Sequence, residues 1–155
     1  MVYVDIPSLA EIRALSELRA DAVVSIYLPT TPVTQDIEAS RIALGNLVKA
    51  AANQLEEAGF DKRRLAELVE QLDDLRADDE FWIYQANSLA IIATPDRLRT
   101  YRLANRLTEI LEVSDRVHLK PLLRAVTFPH SAYVLSLSEN GVGLVELSSD
   151  LPPEE

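Results

Sequence analysis

The chain has 155 residues, 48% of them hydrophobic, a net charge of −10 and no cysteine. The length suits about one domain and the apolar content suits a packed core, so whole-chain disorder is excluded. The missing cysteines exclude a disulfide framework, a thiolate metal site and a cysteine nucleophile together.

In chain order, Ser8 with Glu11 three residues later forms a capping-box pattern. Leu9, Ile12, Leu15 and Leu18 follow at helical spacing and predict a short amphipathic helix. Residues 22–28 (A-V-V-S-I-Y-L) are a near-continuous apolar run ending at Pro29, which predicts a strand buried on both faces. A long helix is expected from Thr34 or Asp36 to Ala58, with Ile37, Leu44, Leu47, Val48, Ala51 and Leu55 on one face and Gly59 at its end. Asp61 then caps a second helix with Leu65, Leu68, Val69, Leu72 and Leu75 as its stripe, and Phe60 placed to staple onto Leu65. So short a connection predicts an antiparallel helix pair.

After the acidic Asp78-Asp79-Glu80, the run Phe81-Trp82-Ile83-Tyr84 predicts one helical turn burying its aromatics. Residues 89–94 predict another buried strand, Pro95-Asp96 a turn, and residues 97–103 a half-exposed strand. A strand is expected over 109–113, and a short helix from Pro121 to about Val126. Phe128-Pro129-His130 reads as a linker into two apolar runs, S-A-Y-V-L-S-L and V-G-L-V-E-L, around an Asn140-Gly141 turn. The expected class is α+β: a mixed β-sheet with a long antiparallel helix pair packed on one face, plus a C-terminal β-hairpin. Two units are expected, 1–129 and a hairpin over 130–155 that opens a second, truncated domain.

Few residues suggest chemistry. The carboxylates Asp73, Asp74, Asp78, Asp79 and Glu80 lack the alternation and glycine of an EF-hand and read as helix-terminal charge. Two histidines without cysteine fall short of a zinc site, and neither G-x-S-x-G nor a phosphate-cradling glycine loop is present. The expectation is therefore no catalytic residue, no metal and no cofactor.

Charge is the more informative signal. Between Arg97 and Arg124 lie seven basic residues against three acidic ones, a net of +4 that leaves −14 for the remainder. Arg97 and Arg99 share one strand face by period two, and Arg102 takes the other. With Arg106, Arg116 and Lys120 folded beside them, these residues predict a cationic stripe for RNA phosphates. The competing expectation is that the arginines pair with the acidic helices and solubilise the sheet.

Three segments carry a resemblance. They are Glu80-Phe81-Trp82 with Gln85 and residues 89–93, then residues 115–123 (D-R-V-H-L-K-P-L-L), then residues 133–140 (Y-V-L-S-L-S-E-N). In this order the chain resembles the N-terminal part of the bacterial homologues of archaeal and eukaryotic peptide-chain release factors. The resemblance implies an N-terminal α/β domain followed by a middle domain whose first strands are the hairpin, and a ribosome-associated, translation-linked role. Neither an Asn-Ile-Lys-Ser nor a Gly-Gly-Gln motif is present, so no codon-reading or catalytic residue is carried over. The alternative is a protein-interaction or dimerisation module without RNA contact. A homodimer through Tyr133, Leu135, Val142 and Leu144 is expected because both faces of the hairpin are apolar. The first residues hold neither a basic n-region nor an apolar h-region, and no apolar run is long enough to span a bilayer. A cytoplasmic protein is expected.

Overall fold

The computed structural model describes residues 2–127, 131–138, 141–148 and 151–154. Its first sheet has the order β3-β2-β1-β4, built from β1 (Arg19–Pro29), β2 (Ser88–Thr94), β3 (Arg97–Leu103) and β4 (Ile110–Arg116). Every pairing in it is antiparallel, where a mixed sheet was expected within the α+β class. The reason lies between β1 and β2. Two long helices, α2 (Glu38–Glu57) and α3 (Lys62–Ala77), carry the chain down and back, so β2 re-enters where β1 ended and runs the other way.

That helix pair forms as its residues dictate. The whole expected α2 stripe, Ile37, Leu44, Leu47, Val48, Ala51 and Leu55, is buried, as are Leu65, Leu68 and Leu72 of α3. A 3-10 turn (Thr34–Asp36) precedes α2, so the regular helix starts slightly later than its first polar residues suggest. At its end Gly59 takes φ +73°, and the amides of Gly59 and Phe60 donate to the carbonyls of Glu56 and Leu55. This is the paired-bond stop that a left-handed residue permits. Asp61 accepts from the amides of Arg63 and Arg64 and starts α3 at once. The pair packs on the even-numbered face of β1, where Val24, Ile26 and Leu28 join Leu89, Ile91 and Trp82 in one core.

The opposite face is covered too, which the strand pattern required and the helix inventory did not specify. Val23 and Tyr27 of β1, with Ala90, Ile92, Tyr101 and Leu103, pack against Leu15 of α1 (Leu9–Glu17) and Leu122 of α5 (Lys120–Thr127). The sheet is thus sandwiched, long helices on one side and two short ones on the other. The 104–109 connection crosses the sheet's end to reach β4, held where Asn87 Nδ2 donates to the Ala104 carbonyl and Ser88 Oγ accepts from the Leu107 amide, at 2.7 and 2.8 Å.

Of the expected aromatic cluster, Trp82 is buried in α4 (Asp79–Ile83) and donates to the Leu75 carbonyl, whereas Tyr84 is exposed and meets Tyr3 edge-on. The acidic run has structural employment. Asp78 caps α4, Asp73 pairs with Arg76, and Asp79 pairs with Arg41 at 2.8 Å.

The hairpin is extended by a third strand. β5 (Ser131–Ser138), β6 (Gly141–Ser148) and β7 (Leu151–Glu154) form a separate antiparallel sheet. Pro152 and Pro153 are tolerated in β7 because it is an edge strand. Ser138 pairs with Gly141, the first residue of β6, and the rest of the expected Asn140-Gly141 turn, like the linker 128–130, lies outside the described residues. Among the described residues no helix is long and apolar enough to cross a membrane.

Candidate nucleic-acid interface

β3 is an edge strand, and its pleat sorts its arginines as period two demands. Arg97 and Arg99 lie on the side of α1, whereas Arg102 lies on the side of the helix pair, its guanidinium 4.7 Å from the Phe81 ring centre. Arg102 is also tied to Asp5 by a 3.6 Å ion pair and by a reciprocal pair of main-chain bonds that lays the N-terminal segment along the edge.

Arg116 ends β4, the opposite edge, and is paired with Asp115 at 2.9 Å. Edge from edge is three strand spacings, about 14 Å. Arg106 lies exposed in the crossing connection and Lys120 exposed at the start of α5. The expected single stripe through all six residues is therefore corrected. Arg97 and Arg99 stand together, Arg102 and Arg116 are already paired with carboxylates, and β1 and β2 separate the two ends of the set. A window contiguous in sequence is not contiguous in space when its strands occupy both edges.

What the sequence did not indicate is that α1 completes a site with Arg97 and Arg99. Between α1 and β3 runs an open groove of about 480 Å3, lined by Asp5, Glu11, Arg97, Arg99, Thr100 and Tyr101, with the small Ala10 and Ala14 leaving it room. Its charges are unequal in availability. Glu11 closes the capping box, accepting from the Ser8 amide and hydroxyl at 2.8 Å each, and these bonds, with a smaller contribution from Arg99, hold its carboxyl below the ordinary range. Asp5 is engaged by Arg102. Among the described residues Arg97 and Arg99 have no ion pair. Burial, then the Glu11 carboxylate, raises the Tyr101 pKa, and the neighbouring Arg99 guanidinium opposes the rise. The only recoverable signal was the Arg97/Arg99 period. No local pattern says which helix covers that face.

The segment after β4 has a different job. The His118 amide donates to Ser25 Oγ at 3.0 Å and its carbonyl accepts from the Tyr27 hydroxyl, while Val117, Pro121 and Leu122 are buried. Within the 115–123 block, both main-chain groups of His118 are thus bonded to β1, and the block clasps the sheet.

No family model matches the chain, and no curated protein matches it. Six solved chains match. One, described only as "Archaeal protein", aligns with a TM-score of 0.53 at 13% identity, covering 94% of this chain. The likeness shows a shared fold, and this chain spans 43% of that protein's length.

Proposed function

We propose that this chain is a non-catalytic, ribosome-associated factor of the cytoplasm, linked to translation and built as the N-terminal part of a bacterial release-factor homologue. Residues 1–129 form its principal unit and the sheet that follows opens a second. Two of the three segments that carry the resemblance contribute to the main sheet and its core: Trp82 and Gln85 are buried, β2 is buried along its length, and the 115–123 segment is bonded to β1. The observation that carries RNA contact is the Arg97–Arg99 pair, which among the described residues has no ion pair, in an open groove of an acidic protein. Arg106 and Lys120 are exposed and supply further phosphate contacts.

Ribosome co-sedimentation across a salt series tests the proposal. Each lost phosphate contact should lower the log–log salt slope by roughly 0.7–0.9, so R97Q/R99Q should lower it by about 1.4–1.8. An unchanged slope would remove these two residues from the contact.

A second reading, association of two copies, is favoured by the second sheet. Tyr133, Leu135, Val142 and Leu144 are all more than half exposed. Apolar side chains presented in such number mark an interaction surface.

A further inference from the structure

From the open edge of β3, we infer that the α1–β3 groove docks an extended acidic peptide, which adds to the sheet as a fifth strand beside Leu98 and Thr100. The inference concerns the main chain of the edge and goes beyond RNA contact by the arginines.

The edge is open for a traceable reason. Arg102 exchanges both main-chain bonds with Asp5, so its N–H and C=O point away from β2. By the alternation of an antiparallel ladder, Thr100 and Leu98 point the same way. In the register set by Asp5 and Arg102, the N-terminal residue due opposite Thr100 is Pro7. Proline has no N–H to give, and the chain turns at Ser8 into α1. Among the described residues no main-chain partner reaches the outward groups of Thr100 and Leu98.

The flanking residues define the occupant. An edge strand offers donors and acceptors in equal number, which a polypeptide matches and a phosphodiester, with acceptors alone, does not. Arg97 and Arg99 stand two residues apart on the groove side, roughly 7 Å along the strand, the spacing of same-face side chains in an added strand. Acidic residues at alternate positions would meet them, and Ala10 and Ala14 leave the space. The other face of the added strand runs beside Leu98, which packs on the helix-side core, so apolar residues suit the positions between. The same arginines repel basic strands, which makes the edge selective.

The test is fluorescence anisotropy with the full chain and two labelled hexapeptides, Thr-Glu-Val-Glu-Val-Thr and its Lys-for-Glu counterpart. The acidic peptide should bind at least about tenfold more tightly, and R97E/R99E should reverse the preference. Thr100→Pro removes one outward donor, breaks no bond to β2 and leaves both arginines in place, so it should abolish peptide binding and spare any salt-dependent ribosome binding. Alternating N-methylation of the peptide probes the same bonds without altering the protein. One of the two patterns should abolish binding and the other spare it. Equal anisotropy with both peptides, binding that survives both N-methylation patterns, or a groove that takes single-stranded RNA but no peptide would each overturn the inference.

Discussion

Tyr27 donates its hydroxyl to the main-chain carbonyl of His118, 91 residues further along the chain. With Ser25 Oγ accepting from the His118 amide, the two polar residues of the buried run 22–28 of β1 satisfy both main-chain groups of one residue in the segment that leaves β4. That segment leads into α5, so the bond holds the second helical layer against the sheet. Tyr27→Phe should cost about 1–3 kcal/mol, the range for leaving a buried acceptor unpaired. Burial raises the Tyr27 pKa from 10.0 in the folded state, so the hydroxyl there stays neutral where the unfolded chain's ionises. Its contribution is complete below pH 10 and is lost as pH rises above it. Denaturant titration of both proteins from pH 8 to 11 should show a shallower alkaline decline for the variant.

Glu11 gives the opposite limb. Its carboxyl is held below 4.5 by the Ser8 amide and hydroxyl, so its stabilising effect is present above that pH and is lost as pH falls through the lowered value. The melting-temperature difference between wild type and Glu11→Gln should be present at pH 7 and shrink as pH is lowered below 4.5. A constant difference would mean that the capping box works without the charge.

Leu68 and Leu9 separate the helix faces. Leu68 is wholly buried between α3 and the sheet, and Leu68→Ala should cost about 2–5 kcal/mol by denaturant unfolding. Leu9 is 80% exposed, and Leu9→Ala should change stability by no more than about 0.5 kcal/mol.

Gly59 is needed for its backbone alone. A Cβ there would meet nothing within 4 Å, yet φ is +73°. Gly59→Ala should cost about 1–2 kcal/mol, and Gly59→Asn less, because asparagine tolerates the left-handed region. Equal losses would point to an unseen contact.

Sedimentation velocity tests association through the second sheet. The full chain should sediment as a dimer at micromolar concentration, and Leu135→Asp with Val142→Asp should make it monomeric while the far-ultraviolet spectrum is kept. A monomeric wild type, or a dimer unmoved by both changes, would remove the second reading.

Much of this fold is legible along the chain because local physics decides it. The capping box at Ser8, the stop at Gly59, the Asp61 cap and the apolar stripes of α2 and α3 each depend on residues within a few positions of one another, and each forms where its pattern lies. Continuous apolar runs likewise identified β1 and β2 as strands covered on both faces.

The candidate site obeyed a different rule. Period two correctly put Arg97 and Arg99 on one strand face and Arg102 on the other. Whether Arg116 and Lys120 stood beside them depended on strand order, which no local spacing encodes. The sheet placed β3 and β4 at opposite edges, and ion pairs with Asp5 and Asp115 claimed two of the six cations. The groove, the open edge beside Pro7 and the Tyr27–His118 bond all join residues far apart in the chain. The sequence by itself determined the helices, their caps and the buried strands, since those arise from short-range hydrogen bonding and burial. Only the tertiary structure decided which charges meet and which edge stays open, because both follow from long-range strand pairing.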